Sequence, residues 1–224
     1  GNVQTTLNAG WNFEAIRKAN YFLENVHRAA IDETLRNRYT AEVRFLRAMN
    51  YASKVNKFGD VALITSVITN QEAFKLGRDP KDQVIAWVLK ELEEVAEILP
   101  VTYSGGSVQG NEKGRITKGA ALAFKARFEL QHNNFAAAAA TAKQVMGLGY
   151  QLFNSPVENL EYNKLDDYSK FVDFGSKADS IRFIKALRSY EGLCYAENEG
   201  NNEVILDRQY IKQSQPNFLN TYLP

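Results

Sequence analysis

The residues of this chain predict an α protein, and three observations carry that prediction. Residues 41–58 place Phe45, Ala48, Ala52 and Val55 at spacings of three and four, the period that lines one face of a helix. Residues 84–99 set Val84, Val88, Leu92, Val95 and Leu99 on a second such stripe. A third stripe, Phe135, Ala138, Ala142 and Val145, runs through an alanine-rich segment whose small side chains let a partner helix approach closely.

A first helix is predicted over residues 13–27, with Ile16, Asn20 or Leu23, and His27 along neighbouring faces. A second, over residues 32–58, stops abruptly at Phe58-Gly59-Asp60 and gives way to an extended apolar run at 61–65 within a loop to about residue 77. Asp79 is the expected N-cap of the third helix and Pro80 its first residue, where a missing N–H costs nothing. Pro100 ends that helix. A loop containing Gly and Ser, residues 102–114, leads to Thr117, the expected cap of a fourth helix reaching about His132. Asn133-Asn134 restarts the chain into a fifth helix, which Gly147 and Gly149 terminate. So short a connection requires the fourth and fifth helices to pack antiparallel. Beyond Leu152 the pattern weakens. Residues 154–188 are polar and aromatic, with Tyr162, Tyr168, Phe171, Phe174 and Phe183, and they predict a loop insertion holding one short helix at about 179–187.

Composition narrows the function classes. Among 224 residues, 27 Lys and Arg balance 26 Asp and Glu, so no global field steers the chain toward nucleic acid. One cysteine, Cys194, excludes an internal disulfide. No apolar run is long enough to span a bilayer as a helix, and the opening residues show neither a basic start nor a cleavage site.

Enzyme readings find little support. The two histidines, His27 and His132, lie far apart without metal-ligand spacing, and the pattern G-x-S-x-G is absent. Residues 110–115, GNEKGR, lack the G-K-[ST] ending of a phosphate loop and read as a turn before Thr117. Asp166, Asp167, Asp173 and Asp179 do not follow the spacing of a calcium loop. A hydrolase built on these acids would need two carboxyl groups about 5–9 Å apart across one cleft. Glu42, Arg44, Arg47 and Arg127 sit beside apolar stripes, so they predict fixed salt bridges between helices or to loop carbonyls, because a buried arginine must be paired. Tyr51 and Trp87 read as core residues, and Trp11 as packing for the first helix.

The junction at residues 41–65, AEVRFLRAMNYASKVNKFGDVALIT, resembles the signature of the SusD/RagB family. The family pattern A-E-x-R-F-L-R-A, then Y, then F-G-x-x-P-L-I-T is met by Ala41, Glu42, Arg44, Phe45, Leu46, Arg47, Ala48, Tyr51, Phe58, Gly59, Leu63, Ile64 and Thr65, with Ala62 in place of proline. Further segments resemble the same family in the same order: AIRKANYFLENV at 15–26, GRITKGAALAFKARFEL at 114–130, the stretch 135–152 ending GYQL, and NNEVILDRQY at 201–210. YEGLC at 190–194 resembles the family's Y-x-x-L-F element displaced downstream.

This resemblance implies a tetratricopeptide-like helical repeat scaffold with long irregular loops and minor extended segments, one domain over 1–224, although no clean period of about 34 shows in the sequence. It implies a non-catalytic, surface-exposed lipoprotein of the outer membrane that captures oligosaccharide or glycan, needs no cofactor, binds no nucleic acid and docks on a SusC-like TonB-dependent transporter. Family members are longer and carry a lipidated cysteine after a signal peptide, so against them the chain reads as an internal segment. The rival class is a generic tetratricopeptide interaction module, which needs Asn, Lys and Arg repeated along successive first helices; no such repeat is visible.

Sugar recognition calls for flat aromatic faces flanked by planar polar groups. The family builds much of that site from loops outside this stretch. The candidates here are the C-terminal aromatics Tyr210, Phe218 and Tyr222, with Arg208 and Asn217 as polar neighbours.

Overall fold

A computed structural model describes residues 11–103, 114–155, 171–193, 195, 198 and 201–206. They fall into two compact units, one extending to Leu148 and the other starting at Gly149.

In the first unit α1 (Glu14–Asn25) buries Ile16, Ala19 and Asn20. Its predicted last turn tightens into a 3-10 turn over Val26–Arg28, after which Ala29 is extended; such turns commonly satisfy the last carbonyls of a helix. Helix α2 (Glu33–Phe58) starts where the Asp32 carboxylate accepts the Leu35 N–H, and it buries Ala41, Phe45, Ala48, Tyr51, Ala52 and Val55. It stops at Gly59, whose φ of +68° is strained for any side chain. That angle is the physical reason for the abrupt end seen in the sequence. A capping box of Thr69 and Glu72 opens the single turn α3 (Asn70–Ala73).

Helix α4 (Lys81–Ile98) buries Val84, Val88, Leu92 and Val95 as its periodicity predicts. Its cap differs from expectation. Asp79 is occupied elsewhere: its backbone forms an isolated antiparallel bridge with Val61, and its carboxylate accepts the Leu63 N–H at 2.7 Å. The N-cap position falls to Pro80, which has no side-chain acceptor. Asp60 supplies one from a distance, accepting the Lys81 N–H at 2.8 Å.

Thr117 caps α5 (Lys118–Gln131) by accepting the Ala120 N–H at 3.1 Å. Asn133, at φ +61°, turns the chain into α6 (Phe135–Met146). The inward stripe of α6 is Ala138, Thr141 and Val145, whereas Phe135 and Ala142 are exposed. Thr141 displaces Ala142 from the predicted stripe because buried Glu129 requires a donor: the Thr141 hydroxyl lies 2.8 Å from its carboxylate. Lys125 closes the remaining side at 3.0 Å. Helix α2 packs on α1 and α4, α4 on α5, and α5 on α6, so each helix buries its apolar side on its neighbours. An edge-to-face pair of Phe45 and Phe124, 5.8 Å between centroids, lies between α2 and α5.

The second unit holds α7 (Lys177–Gly192), capped by Ser176 and longer than the short helix predicted within residues 154–188. Phe174 and Phe183 pack at 5.4 Å. Gly192 permits a close approach: a Cβ there would meet the Phe153 ring at 3.2 Å. The Asn-x-Glu motif at 201–203 acts on the same spot. Glu203 accepts the Phe153 N–H at 2.7 Å, and Asn201 donates to the Asn198 carbonyl, while Asn198 donates to that of Gly192. Among the described residues there is no strand, and no helix is long and apolar enough to cross a membrane.

Candidate functional site

The segment from Val61 to Ile68 pairs with no strand beyond its bridge to Asp79, so its backbone groups need other partners. Side chains of α1 and α2 supply them. Asn20, fully buried on α1, donates to the carbonyls of Ile64 at 3.0 Å and Ser66 at 2.8 Å. The Tyr51 hydroxyl donates to the Ile64 carbonyl at 3.0 Å and accepts the Ile64 N–H at 2.7 Å. Arg47 donates to the Asn20 side-chain oxygen at 2.8 Å and to the Thr65 carbonyl at 3.2 Å. Glu24 accepts the Val67 N–H, and Arg17 donates to the Ile68 carbonyl. Burial pushes the Tyr51 phenol up to about 12, so it stays a neutral donor at any physiological pH. These bonds give the segment protein partners at Leu63, Ile64, Thr65, Ser66, Val67 and Ile68 in place of a neighbouring strand.

Behind these bonds lies a buried ion network. Glu91 of α4 receives Arg47 at 3.1 Å and both nitrogens of an Arg44 fork at 3.1 and 2.7 Å. Arg44 also reaches Glu94 at the surface. The Arg47 guanidinium lies over the Trp87 ring at 5.1 Å, and Trp87 meets Tyr51 edge to face. On the other side of α2, Glu42 takes a two-pronged bond from Arg115 at 3.0 and 2.7 Å. The Tyr103 hydroxyl lies within bonding distance of both Glu42 and the Ile116 carbonyl. The expected salt bridges therefore form at Glu42, Arg44 and Arg47. Arg127 differs: it is exposed on α5, and no ion pair ties it to another helix among the described residues.

The outer side of the anchored segment forms a groove of about 660 Å³, within the range of about 300–1,000 Å³ typical of ligand sites. Trp11, Phe13, Ile16, Ile64, Ile68 and Leu76 contribute its apolar lining, and Arg17, Ser66, Asn70 and Arg78 contribute polar groups. Trp11 is fixed edge to face by Phe58 at 5.0 Å and Phe13 at 5.5 Å, and Arg78 stands over its ring at 4.7 Å. Trp11 thus packs against the start of α1, as expected, while more than a third of its surface remains exposed in the groove.

Such an arrangement suits binding. Among the described residues no three His, Cys, Asp or Glu side chains gather as metal ligands. Asp179 is engaged by Arg182 and the Ser176 hydroxyl, Asp173 is exposed, and Asp166 and Asp167 lie outside the described residues. The predicted site residues Arg208, Tyr210, Asn217, Phe218 and Tyr222 also lie outside them. Of two residues central to the structure, the sequence places Asn20 on a face of the first helix without its hydrogen-bonding role, and it does not single out Glu91. Asn20 and Glu91 are polar side chains on otherwise apolar faces, and that interruption was their only signal.

Residues 2–130, more than half of the chain, match a SusD-like family model described as starch-binding and associating with the outer membrane. A curated relative, a SusD-like protein of Formosa agariphila, is 31% identical over 126 residues, which is 56% of this chain and 23% of that protein. A solved SusD-like protein of Bacteroides fragilis superposes with a TM-score of 0.67 at 30% identity, covering 88% of this chain and 32% of the other. A laminarin-binding SusD-like protein superposes with a TM-score of 0.55 at 28% identity, covering 70% and 33%. The chain spans about a quarter to a third of the length of these relatives. On the match of residues 2–130, the chain belongs to the SusD-like family.

Proposed function

We propose that the chain is the helical scaffold of a glycan-capturing component of an outer-membrane nutrient-uptake system, acting by binding and without chemistry. The match of residues 2–130 to a family described as starch-binding carries this reading, and the laminarin-binding relative supports it. Isothermal titration against plant, host and microbial oligosaccharides tests it. A saturable isotherm with one glycan class is the expected result. Hydrolysis of any bound sugar during the titration would overturn the non-catalytic assignment.

The finer part of the proposal is that the scaffold docks on a SusC-like TonB-dependent transporter and hands the glycan to it. Tyr21 on α1 and Leu46 on α2 leave at least half of their surface exposed, although both are large apolar side chains. Tyr21→Glu with Leu46→Glu is expected to weaken co-purification with a transporter of this class while glycan affinity holds. Loss of glycan affinity with transporter association intact would sink the docking role.

A further inference from the structure

We propose that the groove walled by Trp11, Ile64 and Leu76 is a subsite for an anionic sugar, one carrying a carboxylate or a sulfate ester. The proposal rests on the glycan-capture reading and names the substrate class within it.

Charge complementarity points to the occupant. Arg17 and Arg78 both line the groove, and neither meets a carboxylate among the described residues. Arg17 spends one N–H on the Ile68 carbonyl out of the five that a guanidinium offers. Among the described residues Arg78 is placed by its position over the Trp11 ring. Glu14, the one acid among the described lining residues, is paired with Lys18 at 2.6 Å. An apolar lining that also carries two cations with no carboxylate partner among the described residues favours a ligand that is apolar on one side and anionic on another. A uronate or sulfated pyranose has that form: C–H groups for Trp11 and Phe13, an anionic group for the guanidinium forks, and hydroxyls for Ser66 and Asn70.

The wall is also fixed before a ligand arrives. Ile64 is held at its N–H by Tyr51 and at its carbonyl by Tyr51 and Asn20, and the Trp11 ring is held by T-shaped contacts with Phe13 and Phe58. A prearranged wall lowers the ordering cost of binding.

The test is titration of the chain with oligogalacturonate, with a sulfated galactan oligosaccharide and with neutral laminari-oligosaccharide, at low and high salt. Arg78→Gln is run beside the unaltered chain, and thermal melting confirms that it folds. Expected are tighter binding of at least one anionic ligand, loss of that advantage at high salt, and a weakening of about tenfold in Arg78→Gln, the usual scale for a charged hydrogen bond. The two anionic arms show which group is read. Equal affinity for the neutral sugar, or anionic binding unmoved by Arg78→Gln, overturns the subsite and leaves glycan capture standing. Silence with all three sugars overturns the subsite, silence across the wider plant, host and microbial panel overturns glycan capture as well, and polyglutamate binding as tightly as oligogalacturonate overturns the assignment to a sugar.

Discussion

Glu91→Ala is expected to lower the thermal midpoint by about 10 °C, taking about 3–5 kcal/mol for a broken buried ion pair and about 2–4 °C per kcal/mol for a chain of this size. Two guanidiniums converge on this carboxylate, and both are largely withdrawn from water. Removing it leaves Arg47 buried with its remaining bonds to Asn20 and Thr65, while Arg44 falls back on Glu94 at the surface. The loss exceeds the net contribution of the pair, because an uncompensated charge stays where water cannot reach it. Glu94→Ala supplies the contrast. Its side chain is 44% exposed, and an exposed pair contributes little, about 0–1 kcal/mol, so its midpoint should move by no more than a degree or two. Equal shifts in the two variants would show that Glu91 is solvated and that the network is a surface feature.

Much of the helical scaffold was legible because its signals are local. The stripe through Val84, Val88, Leu92 and Val95 needs only a period, Thr117 only its own helix, and Gly59 only its backbone angle. Expectation failed where a local preference lost to a distant partner. Asp79 is a good N-cap by type, yet the unpaired Leu63 N–H claims its carboxylate. Ala142 fits an apolar stripe, yet Glu129 needs the Thr141 hydroxyl. Arg127 fits a family motif and still faces water, with no ion pair to another helix among the described residues.

The groove was illegible for the same reason. Trp11 and Arg78 are separated in sequence by the whole of α1, α2 and the turn α3, and no spacing rule links them. Arg44 and Arg47 could be read as paired, because burial of arginine demands it, but the partner Glu91 had to come from the fold. The family motif is explained in the process. Its Arg47 and Tyr51 bond the strandless segment directly, Arg44 shares Glu91 with Arg47 behind them, and that segment lines the groove.

Asn20→Leu is the sharper test of that explanation. Leucine matches asparagine closely in volume, so the site loses hydrogen bonds without gaining a cavity. The carbonyls of Ile64 and Ser66 each lose a donor and Arg47 loses an acceptor. An unsatisfied buried group costs about 1–3 kcal/mol. Tyr51 still serves Ile64 and the Thr65 carbonyl still serves Arg47, so the expected sum is about 3 kcal/mol. The location of the damage is the stronger prediction. Amide exchange should accelerate at Ile64 and Val67, while α4 and α5, which Asn20 does not touch, keep their protection. Sugar binding at the Trp11 groove should weaken with it, since the wall carrying Ile64 is no longer fixed. Uniform loss of protection across α1 to α6 would mean that Asn20 supports the whole helical stack and that the segment at 61–68 has no separate anchoring. Retained protection at Ile64 would mean that Tyr51 alone fixes the wall.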